Sequence, residues 1–163
     1  PKVRTPFELI VAMLRTTGAT IAQDFSVTAD MPATRSISDH LTRLGHEMWS
    51  WPTPDGFADN QSFWLTTRTM LRRWELAGRI GNSLGGLTVD AAALLPNPMP
   101  ATIDLVVYAL AARLRLAVTE TDVTAIATFL GVATDAPVAD ARLNDSLGDV
   151  IGLLLSHPSG QYR

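Results

Sequence analysis

The residues best suited to bind a ligand crowd into one short stretch, WPTPDGFADNQSFW, from Trp51 to Trp64. Its prolines and its Pro-Asp-Gly turn exclude a single regular element. Tryptophans and prolines on a concave surface can stack on sugar rings or hold an extended peptide. The candidate binding residues are therefore Trp49, Trp51, Asp55, Trp64 and Arg72.

The same rings have a structural alternative. If Trp49, Trp51, Phe57 and Trp64 fold back between the flanking helices, each buries about 200 Å² of surface. Pro52 helps, because it removes a backbone N–H that a buried loop would have to pair. Burial favours the structural role, yet one ring can fix the loop while another is presented to solvent.

The histidines offer little acid–base or metal chemistry. His40, His46 and His157 lack the i,i+4 spacing that places two imidazoles on one helical face for zinc. Only His46, followed by Glu47, lies beside the aromatic stretch, and this pair is the weakest candidate for acid–base catalysis. We predict no metal site, no cofactor and no identifiable catalytic residue, which leaves enzymatic activity open.

Serine, glycine and aspartate motifs are equally uninformative. No Gly-x-Ser-x-Gly turn is present. The stretch GNSLGGLT, residues 81–88, lacks the lysine of a phosphate loop and follows a helical pattern, so it predicts a helix end. Asp55 and Asp59 flank Gly56 and could share a cation. The simpler interpretation is that Asp55 shapes the turn by bonding to the backbone two residues on.

Arginines cluster in the segment that follows. Arg68, Arg72 and Arg79 share a predicted helical face with Glu75, whose spacing favours pairs with Arg72 and Arg79. Together with Arg73 the row could hold a phosphate or a carboxylate. An exposed, partly paired face is the simpler alternative, although one acid cannot neutralise four guanidinium groups.

Length and composition bound the class of protein. The chain has 163 residues, of which 47% are hydrophobic and 18% charged, so we expect residues 1–163 to form a single globular domain. A formal net charge of −3 argues against a nucleic-acid partner. There is no cysteine, which excludes disulfides and thiolate sites. Because the chain opens at Pro1 without a methionine, we expect a fragment of something longer.

Periodicity predicts helices almost throughout. Thr5-Pro6-Phe7-Glu8 is a helix start with a capping box, and Gly18 suits its end. A second helix would place Ile37, Leu41, Leu44 and Met48 on one stripe. Further helices are predicted over residues 88–95, over 102–117, after the Thr119–Asp122 capping box and from Leu143 to His157. The apolar run from Ala101 contains three charges, which favours a core helix over a membrane span.

A third helix, from about Ser62 to about Ser83, joins the aromatic stretch to the arginines. Its predicted core face consists of Phe63, Thr67, Met70, Leu71, Trp74, Ala77 and Gly78. Leu65 and Leu76 lie beside the charged strip, so this helix should contact protein on two sides. No strand pattern competes. The predicted fold class is all-α: a single compact helical bundle of about six to seven helices with a Pro/Trp-rich irregular loop.

Four separated motifs resemble one bacterial family. They are KVRTPFELIVAMLRTTGA, LGHEMWSWPTPDGFAD, WLTTRTMLRRWELAGRI and the closing LLLSHPSGQYR. In this order they resemble the C-terminal part of the domain of unknown function 1800 family, over residues 2–163. The resemblance implies the helical C-terminal portion of a longer protein that is secreted or periplasmic, and it brings no established activity. The added His157 and Gly160 depart from the usual ending.

Two hypotheses follow. The leading one is a non-catalytic helical interaction domain of a larger exported protein, which docks on the rest of its parent chain or on an exported partner through the aromatic loop and the Leu65/Leu76 side. The alternative is a carbohydrate- or peptide-binding domain, possibly hydrolytic, centred on the Trp51–Trp64 loop. Neither involves nucleic acid or a membrane span.

Overall fold

Helices dominate the structure, a computed structural model that describes residues 2–21, 32–58, 60–84, 86–140 and 143–163. In these ranges seven α-helices occur: α1 (Pro6–Thr17), α2 (Pro32–Arg43), α3 (Gln61–Trp64), α4 (Thr67–Gly81), α5 (Ile103–Leu114), α6 (Glu120–Leu130) and α7 (Leu143–Leu155). Three 3₁₀ helices span Ala92–Leu94, Val138–Asp140 and Pro158–Gln161. The predicted all-α class is confirmed. None of the described helices is long and apolar enough to cross a membrane.

One pair of very short strands was not predicted. Strands β1 (Thr20–Ile21) and β2 (Leu87–Thr88) pair antiparallel, with Thr20 opposite Thr88 and Ile21 opposite Leu87. Two residues are too few to leave an alternating pattern in the sequence. The residues that follow β2 form the 3₁₀ turn Ala92–Leu94 instead of the α-helix expected over 88–95.

Local capping signals fix two helix starts as predicted. The Thr5 hydroxyl accepts from the backbone N–H of Glu8 at 3.4 Å, and the Glu8 carboxylate accepts from the N–H of Thr5 at 2.9 Å. Gly18, with φ of 64°, ends α1 in the left-handed region. Thr119 and Asp122 make the same reciprocal pair at the start of α6. These bonds satisfy N–H groups that the helix itself leaves unpaired.

Helix α5 lies at the centre of the core, as its apolar sequence predicted. Ile103, Val106 and Leu110 are completely buried, and α1, α6 and α7 contact this helix. Buried apolar residues of these helices join those of α2 and α4 in one cluster. Arg115, with φ of 59°, ends α5.

Glycines allow α4 and α7 to meet backbone to backbone. A Cβ atom on Gly81 would lie 2.3 Å from the carbonyl oxygen of Gly148 and 2.7 Å from the nitrogen of Gly152. A Cβ on Gly152 would lie 3.0 Å from the Cα of Gly78. This close approach fixes which face of α4 is turned to the core.

The predicted third helix is in fact two helices. Helix α3 stops at Trp64, and Thr66 caps a new helix by accepting from the N–H of Thr69 at 3.2 Å. The Thr69 hydroxyl in turn accepts from the N–H of Thr66 at 2.9 Å. Because the helix is interrupted at Leu65, helical spacing counted from Phe63 does not predict which face of α4 a residue occupies.

The predicted core face of α4 was wrong except at Ala77. The buried residues of α4 are Arg73, Leu76, Ala77, Ile80 and Gly81. Trp74 and Leu71, expected in the core, are exposed by 48% and 56%. Leu76, expected on an outer contact side, is 1% exposed. The Leu65/Leu76 side is consequently not a free docking face.

The second predicted helix is shorter than expected. Helix α2 ends at Arg43, and the chain turns at Gly45, whose φ is 76°. Leu41 and Leu44 are buried as predicted, whereas Met48 lies beyond the helix and is 43% exposed. The turn at Gly45 leads into the aromatic stretch.

Candidate functional site

Five rings between α2 and α4 form the aromatic cluster: His46, Trp51, Phe57, Phe63 and Trp64. The His46 centroid lies 4.5 Å from Phe57 and 5.1 Å from Trp64. Trp51 lies 4.8 Å from Phe57, and Phe63 packs edge-on against Trp64 at 4.7 Å. Trp64 is 2% exposed. Trp51, Phe57 and Trp64 pack together in this cluster, as the structural alternative expected. Trp49 was expected to fold inward with them, but it is 95% exposed.

Burial in this cluster favours the neutral form of His46. Its Nδ1 accepts from the backbone N–H of Phe7 at 3.4 Å. Burial lowers the pKa of His46 below its ordinary value of 6.5, while the nearby Glu8 carboxylate acts in the opposite direction. In the described part of the chain no hydrogen bond or ion pair joins His46 to Glu47. The arrangement suits a packed ring and does not form the acid–base pair considered from sequence.

The tryptophans predicted to bind a ligand differ in how far they are exposed to solvent. Trp49 is 95% exposed and has a left-handed backbone with φ of 67°. Trp51 is half-buried in the aromatic cluster and Trp64 is fully buried. Of the three tryptophans, only Trp49 offers both faces of its ring to a ligand.

Asp55 lies in a turn, as predicted, but in the described residues its carboxylate accepts no hydrogen bond from the backbone N–H two residues on. The Thr53 hydroxyl donates to its carboxylate, and this bond, with the N–H of Asp55 itself, lowers the pKa of the Asp55 carboxyl. Gly56 completes the turn with φ of 75°. Asp59, the other half of the considered cation pair, lies outside the described residues.

The arginine row of α4 does not converge on one anion site. Arg72 Nη1 lies 2.6 Å from Glu75 Oε2, and Arg79 Nε lies 3.6 Å from Glu75 Oε1, as the spacing predicted. Arg43 of α2 approaches the same carboxylate at 3.9 Å. The hydrogen bond from Arg72 is the largest of several effects that lower the pKa of Glu75. Arg72 is therefore already partnered.

The fourth arginine of the row lies in the core, which sequence reasoning missed. Arg73 is completely buried and donates from Nη1 to Gln161 Oε1 at 3.0 Å and from Nη2 to the Arg4 carbonyl at 2.9 Å. Burial lowers its pKa to about 10. The spacing could have revealed this: Arg73 precedes Leu76 by three residues and Ala77 by four, so all three lie on one face of the helix.

A groove between α4, α6 and α7 was also missed, and we name it the α4–α7 groove. Its volume is about 780 Å³. Trp74, Phe129 and Leu153 line it while remaining 48%, 53% and 43% exposed. Gly78 and Gly152 also line it, where the backbones of α4 and α7 approach closely.

One end of the α4–α7 groove carries a hydrogen-bonded histidine. His157 Nε2 lies 3.3 Å from Asp122 Oδ2, and His157 Nδ1 lies 2.7 Å from Ser159 Oγ. Backbone groups already hold this trio: the N–H of Ser159 donates to Nδ1 at 3.1 Å, and the N–H of Ala117 donates to Ser159 Oγ at 3.1 Å. Thr119 also donates to Asp122. We assign the trio a structural role, joining the last turn to α6.

The described ranges contain no group of three or more His, Asp or Glu side chains close enough to hold a metal ion. No curated protein and no solved structure gave a significant match to the chain. The family model described as "Protein of unknown function (DUF1800)" matches residues 1–162. With its ordered motifs and its helical fold, the chain belongs to the DUF1800 family.

Proposed function

We propose that this domain is a non-catalytic interaction module of a larger exported protein, and that it binds a basic amphipathic helix in the α4–α7 groove. One observation carries the proposal: Trp74, Phe129 and Leu153 expose about half of each side chain around a single groove. Soluble proteins that leave contiguous apolar surface uncovered commonly use it for binding. The export of the parent protein rests on the family resemblance.

The shape of the groove favours a helix as its occupant. Helices that dock in apolar grooves insert side chains spaced i, i+3 or i+4, and i+7. Gly78 and Gly152 line the groove without side chains, where the backbones of α4 and α7 meet. Its volume of about 780 Å³ can accept several such anchors. This site replaces the Leu65/Leu76 side expected from sequence, because Leu76 is buried.

The charge of the groove favours a basic partner. Asp122 and Asp149 line it, and among the described residues no lysine or arginine does. Asp149 accepts from the Asn82 side chain at 2.8 Å but makes no ion pair in the described part of the chain. A helix from the rest of the parent chain or from an exported partner would place Lys or Arg beside Asp149, because Asp122 is already bonded to His157 and Thr119.

Binding of a synthetic helix tests the proposal. The probe is a fluorescein-labelled 18-residue helix of leucines and lysines at i, i+3, i+4 and i+7 spacing, titrated with the native chain by fluorescence polarisation. Leu153→Gln should raise Kd by about tenfold, as loss of a central apolar anchor does. Leu105→Gln is the matched control, because Leu105 is 51% exposed on α5 and does not line the groove.

Two outcomes would contradict the proposal. One is equal weakening by Leu153→Gln and Leu105→Gln, which would indicate unspecific adsorption. The other is failure of the native chain to bind the probe. Replacing each lysine of the probe with glutamate should abolish binding, and undiminished affinity of this acidic helix would overturn the charge argument.

A second candidate function is supported by Trp49. Its 95% exposed ring, on a left-handed backbone next to the aromatic cluster, favours stacking on a sugar ring or a peptide proline. Trp51 and Trp64 support the loop, and Asp55 is an exposed polar residue of the same loop. Arg72 is held by Glu75, which removes it from the expected set of contacts.

Retention on a panel of insoluble polysaccharides and on proline-rich peptide beads tests this candidate. Trp49→Ala should abolish retention and Trp49→Phe should restore part of it, because the ring supplies the contact. If the native chain stays on none of these matrices, the stacking function is wrong.

A further inference from the structure

A second groove collects arginines from three parts of the chain. It lies between α1, the C-terminal end of α5 and the last residues, with a volume of about 530 Å³. The arginines that line it are Arg4, Arg15, Arg113, Arg115 and Arg163. We name it the arginine groove. It shares no lining residue with the α4–α7 groove.

The positive charge of the arginine groove is not balanced. Among the described residues Glu8 is its only acidic lining residue, and it already pairs with Arg163 at 2.7 Å. Within the described ranges, Arg15, Arg113 and Arg115 make no ion pair with a carboxylate, and all three are exposed. Three free guanidinium groups therefore face one cavity of a chain whose formal net charge is −3.

Helix dipoles account for an arginine at the end of each helix, but not for the presence of several arginines in one groove. Arg15 lies in the last turn of α1 and Arg113 in the last turn of α5, where a cation is favourable. That effect acts within each helix and does not require the two to share a cavity. The convergence of both, together with Arg115, is a property of the tertiary fold.

The same helix ends decide which anion the groove suits. Phosphate sites commonly use the N–H groups at helix N-termini. Here the first turn of α1, which also lines the groove, is already capped by Thr5 and Glu8, and the unpaired Arg15 and Arg113 lie at the C-terminal ends of α1 and α5. Carbonyl groups at such ends disfavour a compact, doubly charged group. Separate, singly charged carboxylates, each held by one guanidinium fork, fit better.

We infer that the arginine groove binds an acidic segment of a protein chain, with Asp or Glu carboxylates on Arg15, Arg113 and Arg115. Between these arginines the lining is largely aliphatic and includes Val11 and Leu116, which suits apolar residues placed among the acids. Phe7, 46% exposed, is the one aromatic residue of the described lining. A sugar chain would require more stacking surface, so a peptide is the better occupant.

A fluorescence polarisation titration tests the inference. The probe is a fluorescein-labelled 12-residue peptide that repeats Glu-Gly-Glu-Val, and its neutral counterpart carries Gln in place of Glu. The double variant Arg15→Gln/Arg113→Gln should raise Kd by about tenfold or more, and Arg113→Gln alone by a smaller factor. Arg68→Gln, which removes an exposed arginine of α4 outside the groove, should change Kd less than about twofold.

Competition with other anions distinguishes an acidic peptide from an acidic sugar or a phosphate as the ligand of the groove. Oligogalacturonate at equal carboxylate concentration should displace the peptide poorly, and inorganic phosphate should act only as added salt does. Stronger displacement by the oligosaccharide would overturn the peptide in favour of an acidic sugar, and specific displacement by phosphate would indicate a simple anion site. Equal affinity for the neutral peptide, or equal effects of Arg113→Gln and Arg68→Gln, would also refute the inference. Circular dichroism of each variant confirms that it is folded.

Discussion

Arg73 Nη1 donates to Gln161 Oε1 at 3.0 Å across 88 residues of sequence, and both side chains are buried. Arg73 Nη2 donates to the carbonyl of Arg4 at 2.9 Å, and the N–H of Arg4 donates to the carbonyl of Gln161 at 2.8 Å. One buried cation thus ties α4 to both terminal segments. In the described residues it has neutral acceptors only, and burial lowers its pKa.

The first prediction concerns this buried bond. Gln161→Leu should lower the free energy of unfolding by about 1–3 kcal/mol, because it leaves a buried guanidinium N–H without an acceptor. Urea denaturation measures the change, and Gln61→Leu, at an exposed position of α3, is the matched control. Equal effects of the two substitutions would show that the bond to Arg73 does not stabilise the fold.

The second prediction concerns the contact of α4 with α7. Gly81→Ala should destabilise the protein by about 1–3 kcal/mol, because its Cβ would overlap backbone atoms of Gly148 and Gly152. Gly78→Ala should stabilise by about 0.5–1 kcal/mol, since open space surrounds the added methyl and alanine favours the helix. Thermal unfolding of both variants measures the difference. A stabilising Gly81→Ala would mean that the helices are farther apart.

The third prediction ranks three tryptophans by burial. Trp64→Ala should cost about 3–5 kcal/mol, because the side chain is 2% exposed at the centre of the aromatic cluster. Trp74→Ala should cost clearly less, and Trp49→Ala should stay within about 0.5 kcal/mol. Urea midpoints of the three variants give the order. If Trp74→Ala destabilised the protein as much as Trp64→Ala, Trp74 would lie in the core, as its sequence context predicted.

The fourth prediction concerns acid. Burial lowers the pKa of His46 in the folded protein. As pH falls, the imidazole is therefore protonated in the unfolded chain at a higher pH than in the folded protein. The free energy of unfolding should therefore be independent of this group above about pH 6.5 and decrease below it, until the folded form also protonates. His40, whose pKa burial also lowers, contributes with the same sign.

Two measurements check this dependence. NMR titration of the imidazole carbons should place the pKa of His46 below 6.5. His46→Phe keeps a ring in the aromatic cluster and should reduce the slope of stability against pH between about pH 6.5 and 5. An unchanged slope in this variant would assign the acid sensitivity to other groups.

Local signals were sufficient for part of this protein. The Thr5–Glu8 capping box, the turn at Asp55 and the Arg72–Glu75 pair each involve residues at most three positions apart. Their hydrogen bonds depend on short stretches of backbone whose conformation the sequence itself specifies. The packing of Trp51, Phe57 and Trp64 was also predictable, because large rings favour burial, whereas Trp49, expected to fold inward with them, is 95% exposed.

The tertiary structure decided which residues share a surface. Trp74 lies in a groove and Arg73 in the core because Gly81 meets Gly148 across two helices, which rotates α4 away from the face that its composition favoured. The arginine groove likewise requires α1, α5 and the last residues to converge. Such contacts join positions far apart in the chain, and no local pattern records the partner that will face a given side chain.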